Sequence, residues 1–113
     1  MNLTHLAAAR AEAGKPIRVG LIGAGKFGSM FLAQVPTTKG IEVAAIADLD
    51  VGRAQRSCRE VGWTDGHVGS VAFTDDSSSL FIRDDVEVVV EATGNPAAGV
   101  DHALLAIEHG KHI

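Results

Sequence analysis

Apolar positions along the chain follow two alternating spacings, which predict strands and helices in turn. Short apolar runs predict strands at residues 17–22, 41–47, 71–73 and 86–92. Helical spacing of apolar residues predicts helices at residues 27–35, 51–61 and 97–108, with one or two helical turns over 77–82. Residues 62–70 are expected to be irregular, and residues 111–113 to begin another strand.

Single helices between successive strands indicate parallel pairing, because an antiparallel hairpin needs no crossover helix. Residues 86–92 lack clean alternation, which is typical of a strand covered on both faces. The predicted fold class is therefore α/β, a Rossmann-type doubly wound parallel sheet with strand order 3-2-1-4-5.

Residues 3–13 are rich in strong helix formers and precede Gly14 and Pro16, which predicts a short helix ahead of the domain. A frayed tail is the alternative at this end of the chain. The expected division is an N-terminal helical extension over residues 1–15 and the Rossmann domain over residues 16–113.

The 113 residues suffice for one domain. The net charge of −4 narrows the classes of partner that the domain can bind. No block of Lys and Arg occurs, so we expect neither nucleic acid nor a membrane surface as a partner. The single cysteine, Cys58, excludes an intramolecular disulfide and is interpreted as a small core residue. Without a signal-like leader or a long apolar stretch, a cytoplasmic location is expected.

A glycine-rich turn, GAGKFG, follows the first predicted strand and opens the next helix. Each glycine has its own task in a dinucleotide site: Gly23 makes the turn, Gly25 admits a pyrophosphate close to the backbone, and Gly28 lets the helix pack on the sheet. The N–H groups and partial positive charge at the start of the helix would hold the phosphates.

Asp48 ends the second predicted strand, where a dinucleotide site places an acid against the ribose. Its alternative role is to cap the following helix, although Asp50 is better placed for that. A carboxylate would repel a 2′-phosphate, which favours NAD. Arg53 and Arg56 could hold that phosphate instead, so NAD and NADP both remain open.

The strand at 86–92 runs into the sequence TGNP, at the edge of the sheet where doubly wound folds bind ligands. We expect this loop to pass beside the cofactor's second phosphate or nicotinamide ribose; a plain turn with an Asn cap is the alternative. Glu91, an acid within the apolar strand, should lie near its exposed end or accept from a backbone donor. Surface or capping roles are expected for His102, His109 and His112, and no metal site.

Four segments, GLIGAGKFG, ADLD, VVVEATGNP and HALLAIEHGKHI, resemble the N-terminal nucleotide-binding domain of homoserine-dehydrogenase-like oxidoreductases. The nearest likeness is to the branch that carries a C-terminal SAF domain and includes enzymes like 1-deoxy-D-xylulose 5-phosphate reductoisomerase. The glucose–fructose oxidoreductase group is a more distant likeness. Together with the arguments above on the glycine-rich turn and on Asp48, the resemblance implies a set of cofactor-binding residues. They are Gly23, Ala24, Gly25, Lys26, Phe27, Gly28, Asp48, Arg53, Thr93 and Gly94.

Members of that family continue into a substrate and dimerisation domain that supplies the catalytic groups. The resemblance therefore implies that this chain is a truncated piece, which binds a nucleotide but is not itself catalytic. Its parent would be a homo-oligomeric NAD(P)-dependent oxidoreductase of a small-molecule substrate, and the reductoisomerase-like members use NADPH. A dinucleotide-sensing regulatory module without catalysis is the alternative function.

Overall fold

The computed structural model describes residues 2–113, which form one parallel sheet with helices on both faces. Its strands are β1 (Ile17–Ile22), β2 (Ile41–Ala47), β3 (Ala72–Thr74) and β4 (Val88–Glu91). Its helices are α1 (Leu3–Glu12), α2 (Lys26–Gln34), α3 (Val51–Glu60), α4 (Asp65–Gly69) and α5 (Pro96–His109), with 3-10 helices at Val35–Thr37 and Ser77–Ile82.

All strand pairs are parallel, in the order β3-β2-β1-β4. His112 forms a single parallel bridge to Val88, beyond β4, where the predicted order places a fifth strand. The Rossmann-type topology predicted from the alternation of strands and helices is thus confirmed, and the carboxyl ends of β1, β2 and β4 meet along one edge.

Each face of the sheet carries its own apolar cluster, which explains why the strands lack alternation. On one face, α2, α3 and α4 cover a cluster that includes Leu21, Leu32, Ile46, Cys58 and Trp63. On the other face, the second 3-10 helix and α5 cover a cluster that includes Ile22, Leu80, Phe81, Val89 and Ala106.

Helix α1 forms as predicted and packs against the amino ends of the strands. Ala7 is buried, and its backbone lies so close to Gly40 that a Cβ there would come within 2.0 Å of the Ala7 carbonyl oxygen. Arg10 donates to both carboxylate oxygens of Glu87, at 2.8 and 3.1 Å. These contacts tie the helix to the domain, so the frayed-tail alternative does not describe it.

The expectation of an irregular segment at residues 62–70 is wrong, because α4 forms within it. Thr64 caps the helix by accepting from the N–H of His67, and Val68 is buried. Trp63, just before the helix, donates its indole N–H to the carbonyl of Leu32 at 2.8 Å and stacks on the His67 ring. Capping and tertiary packing therefore outweigh the poor helix propensity of the two glycines.

Helix α5 leaves one side uncovered in the part of the chain that the structure describes. Val100, Leu104 and Ile107 are each more than half exposed along it. None of the helices within residues 2–113 combines the length and apolarity that crossing a bilayer requires.

Candidate functional site

A cleft of about 470 Å³ lies at the carboxyl edge of the sheet, between the ends of β1, β2 and β4. Five residues of the predicted set line it: Gly23, Gly25, Asp48, Arg53 and Thr93. The other five, Ala24, Lys26, Phe27, Gly28 and Gly94, adjoin these in the same two loops and in the first turn of α2. The ten residues predicted from the sequence therefore lie in or beside one cleft.

The turn after β1 is held by backbone contacts that require glycine at two positions. Gly23 has a φ of +91°, and a Cβ there would lie 2.9 Å from the carbonyl oxygen of Ala92. A Cβ on Gly28 would lie 2.0 Å from the carbonyl oxygen of Gly23. The turn residue and the packing residue thus have a structural reason to be glycine.

Gly25, unlike Gly23 and Gly28, has no close backbone contact that requires a glycine. A Cβ at this position would meet nothing within 4 Å, and its φ is −77°, which other residues adopt. Packing therefore does not explain this glycine. It lines the cleft and immediately precedes α2, whose first-turn N–H groups lack partners within the helix. Open space beside free amides is the arrangement that a pyrophosphate needs.

The carboxylate of Asp48 connects the end of β2 to the glycine turn and to α3. One oxygen accepts from the N–H of Ala24 at 2.8 Å, the other from the N–H of Asp50 at 2.9 Å, and both accept from Arg53 at 2.8 Å. Burial would raise the pKa of Asp48, but the hydrogen bonds from Arg53, Ala24 and Asp50 lower it below its ordinary value. Asp48 is therefore a carboxylate at neutral pH.

Asp50, as the sequence indicates, caps α3 by accepting from the N–H of Arg53 at 2.9 Å. The ring of contacts around the turn is completed by Ser57, whose hydroxyl donates to the carbonyl of Ala24 at 3.1 Å. Ser57 was not singled out by sequence reasoning, because nothing local connects it to a turn 33 residues away.

The loop after β4 is organised by its own polar residues. Thr93 donates both its N–H and its hydroxyl to Glu91 and accepts from the N–H of Asn95 at 3.2 Å. Asn95 caps α5 by accepting from Ala98, and Pro96 occupies the first turn. Thr93 and Asn95 both line the cleft, so the loop is a helix cap and a wall of the site at once.

Glu91 lies at the end of β4 and accepts from a backbone donor, as its sequence context requires. Burial would raise the pKa of Glu91, but the hydrogen bonds from Thr93 and His102 lower it. The surface or capping role expected for His102 is wrong: the residue is 8% exposed, with Nδ1 on Glu91 and Nε2 on Ser77. A buried carboxylate needs such a partner.

Within the described residues no group of three or more His, Cys, Asp and Glu side chains is arranged to hold a metal ion. Cys58 is fully buried on α3 in the apolar cluster, and burial raises the pKa of its thiol to about 11. The thiol is therefore a protonated core group, away from the chemistry of the cleft.

Comparison with known proteins agrees with this geometry. Residues 17–113 match the profile of GFO/IDH/MocA, described as an oxidoreductase family with an NAD-binding Rossmann fold. The chain belongs to this family. The prediction of a nicotinamide dinucleotide as cofactor is thereby confirmed, as is the broader likeness to the glucose–fructose oxidoreductase group.

Two curated relatives and one solved structure are similar over most of the chain. A homoserine dehydrogenase of Neisseria gonorrhoeae is 32% identical over 108 residues, 88% of this chain and 22% of the relative. Inositol 2-dehydrogenase 2 of Paenarthrobacter aurescens is 36% identical over 94 residues, 82% of this chain and 24% of the relative. Levoglucosan dehydrogenase in complex with NADH is 29% identical with a TM-score of 0.66, over 88% of this chain and 27% of that one.

The chain therefore spans about a quarter of the length of the relatives it matches. The names of these three proteins give no support to the SAF-domain and reductoisomerase-like branch that the sequence suggests.

Proposed function

We propose that this chain is the cofactor-holding domain of an oxidoreductase that uses NAD to interconvert an alcohol and a carbonyl compound. Asp48 carries the proposal, since its carboxylate joins the glycine turn and faces the cleft where a ribose would lie. Membership of an oxidoreductase family favours this function over a sensing module without catalysis.

The residues present fit a dinucleotide in three respects. Gly25 leaves open space beside the amides that begin α2, and Lys26 adds a positive charge at the same point. Asp48 offers acceptors to ribose hydroxyls when Arg53 turns from its carboxylate, and Thr93 and Asn95 form the opposite wall. The cleft volume of about 470 Å³ lies within the range of cofactor sites. When bound, NAD supplies the hydride acceptor, and these residues position it.

The substrate belongs to the proposal as well. The relatives are named for homoserine, inositol and levoglucosan, each of which carries an aliphatic hydroxyl group. We extend to this protein the oxidation of a small hydroxylated compound. A homoserine-dehydrogenase-like activity is one form of it, supported by 32% identity, and an inositol-dehydrogenase-like activity is another, supported by 36%.

NAD is proposed over NADP because Asp48 would stand beside a 2′-phosphate. At about 4 Å and an effective dielectric constant near 20, the repulsion is about 4 kcal/mol per unit charge. Arg53 offsets part of it, since its guanidinium already lies on the carboxylate. We therefore expect NAD to bind more tightly, with NADP still detectable.

Calorimetric titration of the chain with NAD and NADP tests the proposal. Asp48→Asn should shift the ratio of the two dissociation constants toward NADP by about tenfold or more, because the charge that opposes the phosphate is removed. Asp65→Asn removes the same charge from α4, outside the cleft, and should leave the ratio unchanged. The proposal fails where neither nucleotide binds more tightly than about 1 mM.

A further inference from the structure

Three polar side chains from different elements form a hydrogen-bonded series beside the cleft. Glu91 ends β4, His102 lies on α5, and Ser77 begins the second 3-10 helix. The Glu91 carboxylate contacts Nδ1 of His102, and Nε2 of His102 lies 2.9 Å from the Ser77 hydroxyl. Ser77 and His102 both line the cleft. Nothing in the glycine turn or the Asp48 contacts uses this series.

The direction of the hydrogen bonds follows from the acid at one end. Glu91 is a carboxylate with a lowered pKa, and it also accepts from the N–H and the hydroxyl of Thr93, so it accepts a hydrogen bond from the Nδ1–H of the imidazole as well. In the neutral ring, Nε2 is then a bare acceptor. The Ser77 hydroxyl must donate to it, which leaves the oxygen lone pairs of Ser77 to accept from the cleft.

The place of Ser77 indicates which part of a dinucleotide it meets. Ser77 follows β3 by three residues, and the last carbonyl of β3, that of Thr74, accepts from the N–H of Asp48 at 3.0 Å. The end of β3 therefore adjoins the acid that faces the adenosine ribose in a dinucleotide site. Asp75, which lines the cleft next to Ser77, adds a second acceptor. Because Asp75 and Ser77 present acceptors, ligand groups that donate hydrogen bonds, such as hydroxyl and amino groups, fit beside them, and phosphate groups do not.

The same series of groups does not form a hydrolytic nucleophile. An oxyanion would need N–H groups beside Ser77, but the N–H groups of Ser78 and Ser79 are bonded to Asp76 at 3.0 and 3.2 Å. The hydrogen bonds that link Glu91, His102 and Ser77 therefore orient the Ser77 oxygen as an acceptor toward the cleft.

We propose that Ser77 accepts a hydrogen bond from a hydroxyl or amino group of the adenosine half of the bound dinucleotide, and that His102 and Glu91 position it. This inference rests on the proposed function. Ser77 is a binding residue, and His102 acts through Ser77.

The first test is calorimetric titration of NAD and ADP into Ser77→Ala. Loss of one neutral hydrogen bond should weaken both ligands about 3- to 10-fold. Ser77→Thr retains the hydroxyl and should bind within about twofold of the parent chain. Ser79→Ala is the matched control, because its hydroxyl donates to the carbonyl of Asp76 at 2.7 Å and does not line the cleft.

The second test separates positioning by His102 from a purely structural role. His102→Asn should weaken NAD binding when Ser77 is present and have no further effect in the Ser77→Ala background, which a double-mutant cycle measures. A structural role would give the same loss in both backgrounds. Where His102→Asn does not fold, as thermal unfolding reveals, the Ser77 variants decide the proposal alone.

The outcomes distinguish a failure of the Ser77 proposal from a failure of the proposed NAD-binding function. If the parent chain does not bind NAD, the proposed function fails. If the parent binds NAD but Ser77→Ala binds it equally well, only the role of Ser77 is overturned. A loss with NAD but not with ADP, which lacks the second ribose and the nicotinamide, would place the contact on the nicotinamide half and would also overturn the proposal.

Discussion

One guanidinium nitrogen of Arg53 lies 2.8 Å from each carboxylate oxygen of Asp48. The two side chains differ in exposure, at 1% for the acid and 53% for the base. The acid is also fixed by two backbone donors, whereas the base reaches it from the solvent side. The cation could therefore turn from the carboxylate to a ligand without any change in the fold.

Arg53→Ala should weaken NADP binding more than NAD binding. A guanidinium that meets a 2′-phosphate contributes a hydrogen bond to a charged group, so its loss should cost NADP affinity about 10- to 100-fold. For NAD only an ion pair on the solvent side of Asp48 is removed, while the two backbone donors still hold the carboxylate, so the change should stay below about fivefold. Calorimetric titration with both nucleotides measures the difference.

Arg59→Ala supplies the control for this comparison, since it removes the same charge from the last turn of α3, where Arg59 pairs with Asp65. It should change neither affinity. Equal losses of NAD and NADP in Arg53→Ala would mean that Arg53 does not distinguish the two nucleotides.

Gly25→Ala and Gly28→Ala should separate binding from folding. At Gly28 the added methyl group would lie 2.0 Å from a carbonyl oxygen, so we expect a loss of about 3 kcal/mol in the free energy of unfolding. At Gly25 the methyl group meets no protein atom within 4 Å, so stability should fall by no more than about 1 kcal/mol, the cost of alanine at a helix N-cap. NAD affinity should nevertheless fall at least about tenfold, because the methyl group occupies the approach of the pyrophosphate. Denaturant unfolding and calorimetry measure the two effects, and a Gly25→Ala chain that binds NAD normally would exclude this position from the phosphate site.

The Arg10–Glu87 pair should make stability depend on acid pH. The hydrogen bond from Arg10 holds the pKa of Glu87 below its ordinary value of 4.5. The unfolded chain therefore binds more protons in this range, so the stabilisation is present above about pH 4.5 and is lost as the pH falls through the folded-state pKa. Because both side chains are about 40% exposed, the pair is worth about 0.5–1 kcal/mol.

Thermal unfolding of Glu87→Gln beside the parent chain checks this sign. The variant should unfold at a lower temperature at about pH 7, and the gap should close at about pH 3, where the parent carboxylate is protonated. A gap of equal size at both values would show that Glu87 acts through packing and not through its charge.

Cys58 should resist thiol reagents in the folded protein. Only the thiolate reacts, and burial raises the pKa of this thiol to about 11. A colorimetric thiol reagent should therefore show little reaction in buffer and one thiol per chain in denaturant. Rapid labelling in buffer would mean that α3 opens far more readily than its buried contacts indicate.

Local pattern was sufficient for most of the fold because each predicted strand and helix carries its own spacing, and four of the five α-helices within residues 2–113 begin at a side-chain cap. The strand expected at 86–92 is observed only at Val88–Glu91, since its paired register with β1 begins at the Val19–Val88 partners and ends at Ile22–Glu91. Helix α4 was missed because its two glycines conceal a short helix that Thr64 caps and Trp63 anchors.

The residues of the candidate site could be predicted only where they belong to a short local sequence motif. The glycine turn, Asp48 and the TGNP loop each have a local signature, and the cleft brings them together. The contacts of Ser57 with Ala24 and of His102 with Ser77 join residues 33 and 25 positions apart, across elements that only the folded chain brings together. An acid inside an apolar strand, Glu91, was the one local sign that a buried partner was needed.

Trp63 is the chain's only tryptophan, and no tyrosine accompanies it. Its indole is 5% exposed, bonded to the end of α2 and stacked on an imidazole at a centroid distance of 3.7 Å. The ultraviolet emission of the molecule therefore comes from a single chromophore on the helical face opposite the cofactor-side helix α5. Its intensity and wavelength report on the packing of α2 against α4.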